Sequence, residues 1–313
     1  MHVIFRETHG MEETAIPQDL GQEPADLVVL SFSDSDLGAF AEGWRQAQAA
    51  DPAFPSLRLA NLAALIHPLS VDTYIEKTLA GAKAVLIRLI GGTPYWSYGL
   101  QQVETLARSR GIALAVLPAD GRPDWHLDSV STLPAATLAK LCQLCDEGGA
   151  AAARAALAAL AHAAGLGVST VTQCTALPAT GGWHPSCGII DPASFRPNAD
   201  RPLILIVFYR AYLAAHDLHP IAALHSALEQ RGFDALSIFV PSLKPPEVRA
   251  QVDRWVRSLA PAAIVNATAF SARGEDGGTP LDGGGVPVFQ IALATAPRAG
   301  WARTSRGLSP ADL

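Results

Sequence analysis

The sequence is poor in the residues that mark several large classes of protein. It contains only 4 cysteines in 313 residues, too few for a disulfide scaffold, which favours a reduced, cytoplasmic location. No stretch approaches the roughly 18 consecutive apolar residues of a membrane-spanning helix, and no secretory signal is visible. The formal net charge of −6 argues against a nucleic-acid-binding protein. We therefore expect a cytoplasmic protein with no nucleic-acid and no membrane partner.

Several motifs of catalysis are also missing from the sequence. No G-x-G-x-x-G follows a predicted strand, and no G-x-x-x-x-G-K-[ST] is present, so no P-loop is predicted. The G-x-S-x-G motif of serine hydrolases is absent as well. If this protein depends on ATP, we expect the hydrolysis to take place on another chain.

What the sequence does contain is an alternation of apolar strands and amphipathic helices. This alternation predicts an α/β fold with two Rossmann-like parallel-sheet domains, over residues 1–132 and 200–313. Residues 133–199 are predicted to form an alanine-rich helical connector followed by a linker rich in proline and glycine. The segment from Ser309 to Asp312 is typical of a helix start, so we expect the second domain to be truncated and the chain to be a fragment of a longer protein.

The stretch from Ala82 to Gly99 is the most informative part of the chain. A buried strand ends there at Gly91-Gly92, and three large aromatic residues follow at Tyr95, Trp96 and Tyr98. The carboxyl edge of a parallel sheet is where α/β folds bind ligands. Flat rings at this edge indicate a flat or bulky apolar ligand, or an interface built from rings. Arg88 adds a cation in the same strand.

A second predicted strand ends in a similar way, at Tyr209 and Arg210. Three histidines follow, at positions 216, 219 and 225, and they either face a cleft or lie on a solvated helix. Another predicted strand runs through Asn266 and Thr268 into a polar, glycine-rich loop.

Other ionisable groups have two interpretations each. A metal or iron–sulfur site is one interpretation of four cysteines and one histidine: Cys142, Cys145, Cys174, His184 and Cys187. The alternative for Cys142 and Cys145, which lie in a helical pattern, is that they are small buried hydrophobes. The spacing fits no standard finger, so we assign no metal-binding residue. His9 with Glu12 is a candidate for proton transfer or metal handling, and an exposed N-terminal turn is the alternative.

Several segments together resemble one protein family. They are ADLVVLSFSDSDLGAF, PSLRLANLAALIHPLSVDTYIEK, AVLIRLIGGTPYWSYG, IVFYRAYL, SIFVPSLK, NATAF, DGGTPLD and SRGLSPADL. As a combination they are similar to the amino-terminal part of the large subunit of aerobic cobaltochelatase, which is related to the large H subunit of magnesium chelatase. The region from about 120 to 198 carries no part of this resemblance.

The resemblance implies an ATP-dependent metal chelatase that inserts Co²⁺, its substrate, into hydrogenobyrinic acid a,c-diamide on the route to cobalamin. It also implies two partner subunits that hydrolyse ATP, an AAA+ ATPase and its companion, of the CobS and CobT type. Alternatives are a magnesium chelatase H subunit acting on protoporphyrin IX, or a non-catalytic docking or ligand-binding module. The metal-inserting residues are expected farther along the parent protein, so this part alone is expected to be inactive.

A corrinoid is a flat apolar ring with carboxylates at its rim, which suggests roles for the residues at the strand ends. Aromatic rings can stack on its face and cations can pair with its rim. The candidates for the face are Tyr95, Trp96, Tyr98 and Tyr209, and those for the rim are Arg88, Arg210 and Lys244.

Overall fold

The computed structural model describes residues 16–170, 176–269, 272–273, 277–294 and 298–302. The chain divides into two compact units. Unit 1 comprises Met1–Leu177 with Ala214–His216, and unit 2 comprises Pro178–Leu213 with Asp217–Leu313. Among the described helices, none combines the length and the apolar character that a membrane crossing requires.

Unit 1 alternates strands and helices along its first two thirds and ends in helices. Its elements are β1 (Leu27–Ser31), α1 (Asp34–Ala50), β2 (Leu57–Asn61), α2 (Pro68–Lys77), β3 (Ala84–Leu89), α3 (Ser97–Arg110), β4 (Ala113–Pro118), α4 (Trp125–Val130), α5 (Ala135–Glu147) and α6 (Gly149–Ala163).

The four strands of unit 1 form a parallel sheet in the order β2-β1-β3-β4. Successive side chains of a strand point to opposite faces, so each strand contributes to two cores. Leu27 and Val29 of β1 pack in a cluster with α1, α5 and α6, whereas Val28 and Leu30 pack on the other face with α2 and α3. The sheet is therefore covered by helices on both faces, as predicted for this α/β domain.

The helix boundaries of unit 1 follow local chemistry. The Ser33 side chain caps α1 by accepting a hydrogen bond from the Asp36 amide at 3.3 Å. α3 ends at Gly111, which adopts a left-handed conformation with φ of 67°. The His67 side chain caps α2 by accepting a hydrogen bond from the Leu69 amide.

The alanine-rich region packs within unit 1. α6 lies against α1, and its small side chains let the two backbones approach so closely that a Cβ on Gly43 would lie 2.6 Å from the Arg154 nitrogen. We predicted these helices as a connector between domains; the structure instead makes α5 and α6 one covering layer of the sheet.

Unit 2 begins with a hairpin and continues with strands and helices in alternation. Its elements are β5 (Gly181–His184), β6 (Gly188–Ile190), β7 (Leu203–Tyr209), α7 (Arg210–Ala214, which reaches into the residues assigned to unit 1), α8 (His219–Glu229), β8 (Asp234–Val240), α9 (Pro246–Leu259), β9 (Ala263–Asn266), β10 (Val288–Gln290) and α10 (Arg298–Ala302).

The sheet of unit 2 has the order β10-β9-β7-β8-β5-β6. Strands β10, β9, β7 and β8 are parallel, whereas β5 pairs antiparallel with β8 and with β6. The α/β class is confirmed, but this second sheet is mixed, not purely parallel. The difference arises because the hairpin from the predicted irregular linker adds two strands to one side of the sheet.

Candidate functional site

Arg88 lies at the end of β3 and is the centre of a buried charge network. Its side chain is only 4% exposed and forms ion pairs with Asp36 at 3.0 Å and with Asp146 at 2.8 Å. Burial acts to lower the pKa of this guanidinium, but the neighbouring Cys145, Asp36 and Asp146 outweigh it and raise the pKa. Arg88 is therefore a permanent cation that neutralises two carboxylates of its own unit.

The carboxylate of Asp36 is held in place by the end of β1. Ser31 donates its hydroxyl hydrogen to Asp36 Oδ2 at 2.9 Å, and Asp36 lies in the first turn of α1. A rim carboxylate of a ligand would have to replace these protein partners of Arg88. The role of Arg88 as a ligand-binding cation stays a prediction. Binding of a ligand carboxylate to Arg88 would require free energy to break a buried ion pair.

The loop after β3 requires both of its glycines. Gly91 and Gly92 have φ of 79° and 78°, and Gly92 has ψ of −165°, a region open essentially to glycine alone. A Cβ on Gly92 would lie 2.9 Å from Asp124 Oδ2, so this loop passes close to the start of α4. The turn therefore brings the aromatic segment next to the loop that follows β4.

Trp96 belongs to the core of unit 1. Its side chain is 5% exposed, and its indole Nε1 donates to the Leu65 carbonyl oxygen at 2.8 Å. Gly99 gives it room, since a Cβ there would lie 2.1 Å from the indole ring. In this conformation Trp96 offers no ring face to a ligand, and its binding role stays a prediction.

Tyr95 and Tyr98 are on the surface instead. Tyr95 is 68% exposed and Tyr98 is 38% exposed. The Tyr98 hydroxyl donates to Asp72 Oδ1 at 2.8 Å, and this hydrogen bond raises the pKa of the phenol. Both rings can therefore be reached by a ligand at the carboxyl edge of the sheet.

Other exposed apolar side chains, which the sequence analysis missed, follow the neighbouring strands. Trp125 at the start of α4 is 71% exposed, and Ile66 and Leu69 after β2 are also exposed. We call the set at these strand ends the apolar rim: Ile66, Leu69, Tyr95, Tyr98 and Trp125. Contacts of Leu65 with Trp96, of Asp72 with Tyr98 and of the Gly92 turn with Asp124 link its parts.

The enclosed space beside Arg88 is too small for a large ligand. A cavity of about 60 Å³ lies between the starts of α1 and α6 and the end of α5, and Asp36, Arg88 and Cys145 line it. This volume corresponds to about two water molecules at liquid density. A tetrapyrrole ring does not fit in this cavity.

The predicted site residues of unit 2 lie at the carboxyl ends of β7 and β8. Tyr209 and Arg210 are half-buried, and Arg210 Nε donates to the Pro178 carbonyl oxygen at 2.9 Å. Loss of water lowers the pKa of Arg210. Lys244, after β8, is exposed. Their ligand-binding roles stay predictions.

The polar loop after β9 is organised by three side chains. Asn266 donates to Gln290 Oε1 at 2.8 Å and accepts from the Thr268 hydroxyl at 2.8 Å, while Gln290 donates to the Thr268 carbonyl oxygen. The Asn266 amide therefore joins the Thr268 hydroxyl to the Gln290 side chain. These hydrogen bonds hold the start of the loop after β9 against β10.

A groove of about 560 Å³ lies between α9 and residues 277–283. Its charged side chains already have protein partners: Arg257 pairs with Asp253 at 2.8 Å, and Arg249 donates to the carbonyl oxygens of Ala272 and Gly278. No aromatic ring lines it among the described residues. The groove therefore lacks the face-stacking groups that the apolar rim offers.

Cys142 and Cys145 of α5 are free thiols. Burial raises the pKa of Cys142, and it raises that of Cys145 to about 12, so both stay protonated at neutral pH. Cys187 is exposed, and Cys174 lies outside the described residues, as do His9 and Glu12. Of the three histidines that follow β7, His216 and His219 are exposed, whereas His225 is completely buried.

Both units belong to the α/β fold class, in which ligands commonly bind at the carboxyl ends of the strands. More specific information comes from similarity to known proteins. The family model described as CobN/Magnesium Chelatase matches residues 142–313, more than half of the chain, and the chain belongs to this family.

Two curated relatives match along the whole chain. The aerobic cobaltochelatase subunit CobN of Sinorhizobium sp. is 33% identical over 330 residues, and that of Pseudomonas aeruginosa is 34% identical over 331 residues. In each case the match spans 100% of this chain and 25% of the relative, so the chain corresponds to about a quarter of either protein.

A solved structure shares the fold. The catalytic subunit of cobaltochelatase from Mycobacterium tuberculosis superposes with a TM-score of 0.67 at 24% identity, over 91% of this chain and 23% of that one. The resemblance stated from the sequence segments is thus confirmed at the level of the family.

Proposed function

We propose that this chain is part of the large subunit of an ATP-dependent cobaltochelatase that inserts Co²⁺ into hydrogenobyrinic acid a,c-diamide. The observation that carries the proposal is the match along the whole chain to two cobaltochelatase subunits. An AAA+ ATPase and its companion subunit are the proposed partners, and the lack of a P-loop in this sequence agrees with ATP hydrolysis elsewhere.

Within that function, the proposed role of unit 1 is to hold the face of the corrinoid on the apolar rim. Tyr95 and Trp125 are the most exposed of the large apolar side chains of the rim. Contiguous exposed apolar groups mark ligand or interaction sites more often than single ones do. A flat ring laid on them would remove their apolar surface from water and gain ring–ring contact.

The corrinoid carries carboxylates at its periphery, and a cation near the apolar rim of unit 1 would pair with them. Arg122 is exposed and lies three residues before Trp125, in the loop between β4 and α4. Its guanidinium can form a two-pronged hydrogen bond with a carboxylate, as this side chain does in many acidic-ligand sites. We therefore propose that Arg122, which the sequence analysis did not single out, pairs with a carboxylate at the periphery of the corrinoid.

The test is a titration of the 313-residue chain with hydrogenobyrinic acid a,c-diamide, followed by absorbance of the corrinoid. Tyr95→Ala and Trp125→Ala should each weaken binding about 5- to 30-fold, the equivalent of about 1–2 kcal/mol. Phe289→Ala is the matched control, since Phe289 is 57% exposed but lies on β10 of unit 2. Arg122→Gln should weaken binding more at low salt than at high salt.

The same titration distinguishes the alternatives. Protoporphyrin IX bound in preference to the corrinoid would favour a magnesium chelatase H subunit. A folded chain that binds neither tetrapyrrole would contradict the role of the rim and favour a docking module for the ATPase partners.

A further inference from the structure

Two elements of unit 2 that are distant in sequence bring three potential metal ligands together. His184 ends β5, which pairs antiparallel with β8, and α8 packs against β8. His225 and Glu229 are four residues apart on α8 and therefore share one face of that helix. One ligand atom from each of His184, His225 and Glu229 lies within 4.8 Å of the other two.

The buried imidazole of His225 is the second notable feature of this cluster. Its side chain is 0% exposed, and its Nε2 is 2.8 Å from the Ser237 hydroxyl oxygen. Its Nδ1 is buried and has no hydrogen-bond partner among the described residues. A buried polar atom without a partner is costly and rare in folded proteins, so a nitrogen left in this way points to a missing ligand.

His184 is already oriented by its own turn. Its Nδ1 lies 2.8 Å from the Ser186 hydroxyl oxygen and 3.2 Å from the Ser186 amide nitrogen. Its Nε2 faces Glu229 Oε1 at 3.7 Å, a distance too long for a direct hydrogen bond. The ring is thus fixed from one side, with its other nitrogen directed toward the carboxylate.

We propose that His184, His225 and Glu229 form a binding site for a divalent first-row transition metal ion of the zinc type. Two imidazoles and one carboxylate are a ligand set that such ions take, with a fourth position left for water or another ligand. Glu229 is 45% exposed on its side chain, so this fourth position opens to solvent. Nothing in this proposal depends on the proposed cobaltochelatase function, because it rests on unit 2 alone.

The geometry requires only a small adjustment on binding. Ligand atoms about 2.1 Å from a tetrahedral ion lie about 3.4 Å apart, so separations that are now within 4.8 Å must contract by at most about 1.4 Å. The exposed carboxylate of Glu229 can supply most of this movement by rotation of its side chain. The two histidine rings already meet edge to face, with centroids 5.2 Å apart.

Each imidazole must present an unprotonated nitrogen to the ion. Binding of the ion through His184 Nε2 would place the proton on Nδ1, where the Ser186 hydroxyl can accept it, and the hydrogen bond that the Ser186 amide donates to Nδ1 in the free chain would be lost.

Cys187 is the neighbour that the site does not use. Its sulfur lies 3.8 Å from His184 Nδ1, the nitrogen that is hydrogen-bonded to Ser186, and not beside Nε2, which faces Glu229. We therefore expect nitrogen and oxygen ligands only. With Co²⁺ as a spectroscopic probe, the bound ion should show visible ligand-field bands without a thiolate charge-transfer band.

The experiment is calorimetric titration of the metal-free 313-residue chain with Zn²⁺, together with absorbance of the Co²⁺-loaded chain. We expect one saturable Zn²⁺ site, weakened about tenfold or more by Glu229→Gln and by His184→Ala. His219→Ala, on the same helix, and Cys187→Ser should leave the affinity unchanged. Because His225 is buried, Glu229→Gln serves as the surface variant that avoids a folding defect.

The proposal is overturned by either of two results. One is the absence of saturable Zn²⁺ binding to the folded wild-type chain. The other is that the Glu229→Gln and His184→Ala variants bind Zn²⁺ with the same affinity as the His219→Ala control.

Discussion

The buried ion pairs of Arg88 give the sharpest prediction about the stability of unit 1. Replacing Arg88 by Met keeps much of the side-chain volume but removes the cation that neutralises Asp36 and Asp146. The Asp36 side chain is 19% exposed and would be left as a largely buried carboxylate, whereas the Asp146 side chain is 45% exposed and can be hydrated. Breaking a buried pair from one side costs about 3–5 kcal/mol.

Asp36 keeps the hydrogen bond from Ser31, so we expect the low end of that range, about 3 kcal/mol. Asp146→Asn should cost about 1 kcal/mol or less, because its carboxylate is closer to solvent. A double-mutant cycle should therefore give a larger coupling of Arg88 to Asp36 than to Asp146.

The assay is urea unfolding, combined with amide hydrogen exchange to assign the loss of stability to unit 1. Surface substitutions usually change the free energy of unfolding by less than about 0.5 kcal/mol. A change that small for Arg88→Met would refute the stabilising role of its buried ion pairs. So would an equal coupling of Arg88 to both aspartates.

Three further predictions follow from the same region of unit 1. Trp96→Ala should lower the free energy of unfolding by about 3–5 kcal/mol, because it empties a core position, whereas Tyr95→Ala should change it by less than about 0.5 kcal/mol; equal losses in urea unfolding would contradict the different burial of the two rings. Gly92→Ala should lower the free energy of unfolding by about 1–3 kcal/mol. The loss should be smaller for Gly121→Ala, because φ is also positive there but no atom lies within 4 Å of the added Cβ. A thermal melt that ranks the two variants in the reverse order would argue against the close approach of Gly92 to Asp124. In the native chain at pH 8, iodoacetamide should label the exposed Cys187 quickly and Cys145 slowly, since burial raises the pKa of Cys145 to about 12; peptide mass spectrometry that finds Cys145 labelled first would contradict this.

The sequence predicted the sheets well where apolar runs were unbroken. β3 and β7 are almost wholly apolar, and both lie in the interior of their sheets. β2 was not predicted, because Arg58 and Asn61 interrupt its apolar pattern at the edge of the sheet. The β5–β6 hairpin was also missed, since its glycines and histidine have low strand propensity and only pairing with β8 makes it a strand.

The site was harder to predict because burial depends on partners that are distant in sequence. Tyr95 and Trp96 are neighbours in one short turn, yet one is exposed and the other buried, because the Leu65 carbonyl oxygen and Gly99 receive only the indole. The partner of Arg88 at Asp146 lies 58 residues away, so the sequence could not show that this cation is already paired. Trp125 lies in a region that carries no part of the resemblance, and only its loop's approach to Gly92 indicates its place on the rim.

The proposed seat of the corrinoid is the apolar rim of unit 1, and amide hydrogen exchange with bound ligand tests this proposal. The chain saturated with hydrogenobyrinic acid a,c-diamide should exchange more slowly at residues 91–98 and 122–127 than the free chain does. At the lowest ligand concentration that saturates the wild type, Trp125→Ala should reduce that protection. Protection confined to unit 2, or no protection at ligand concentrations that saturate the absorbance change, would contradict the account.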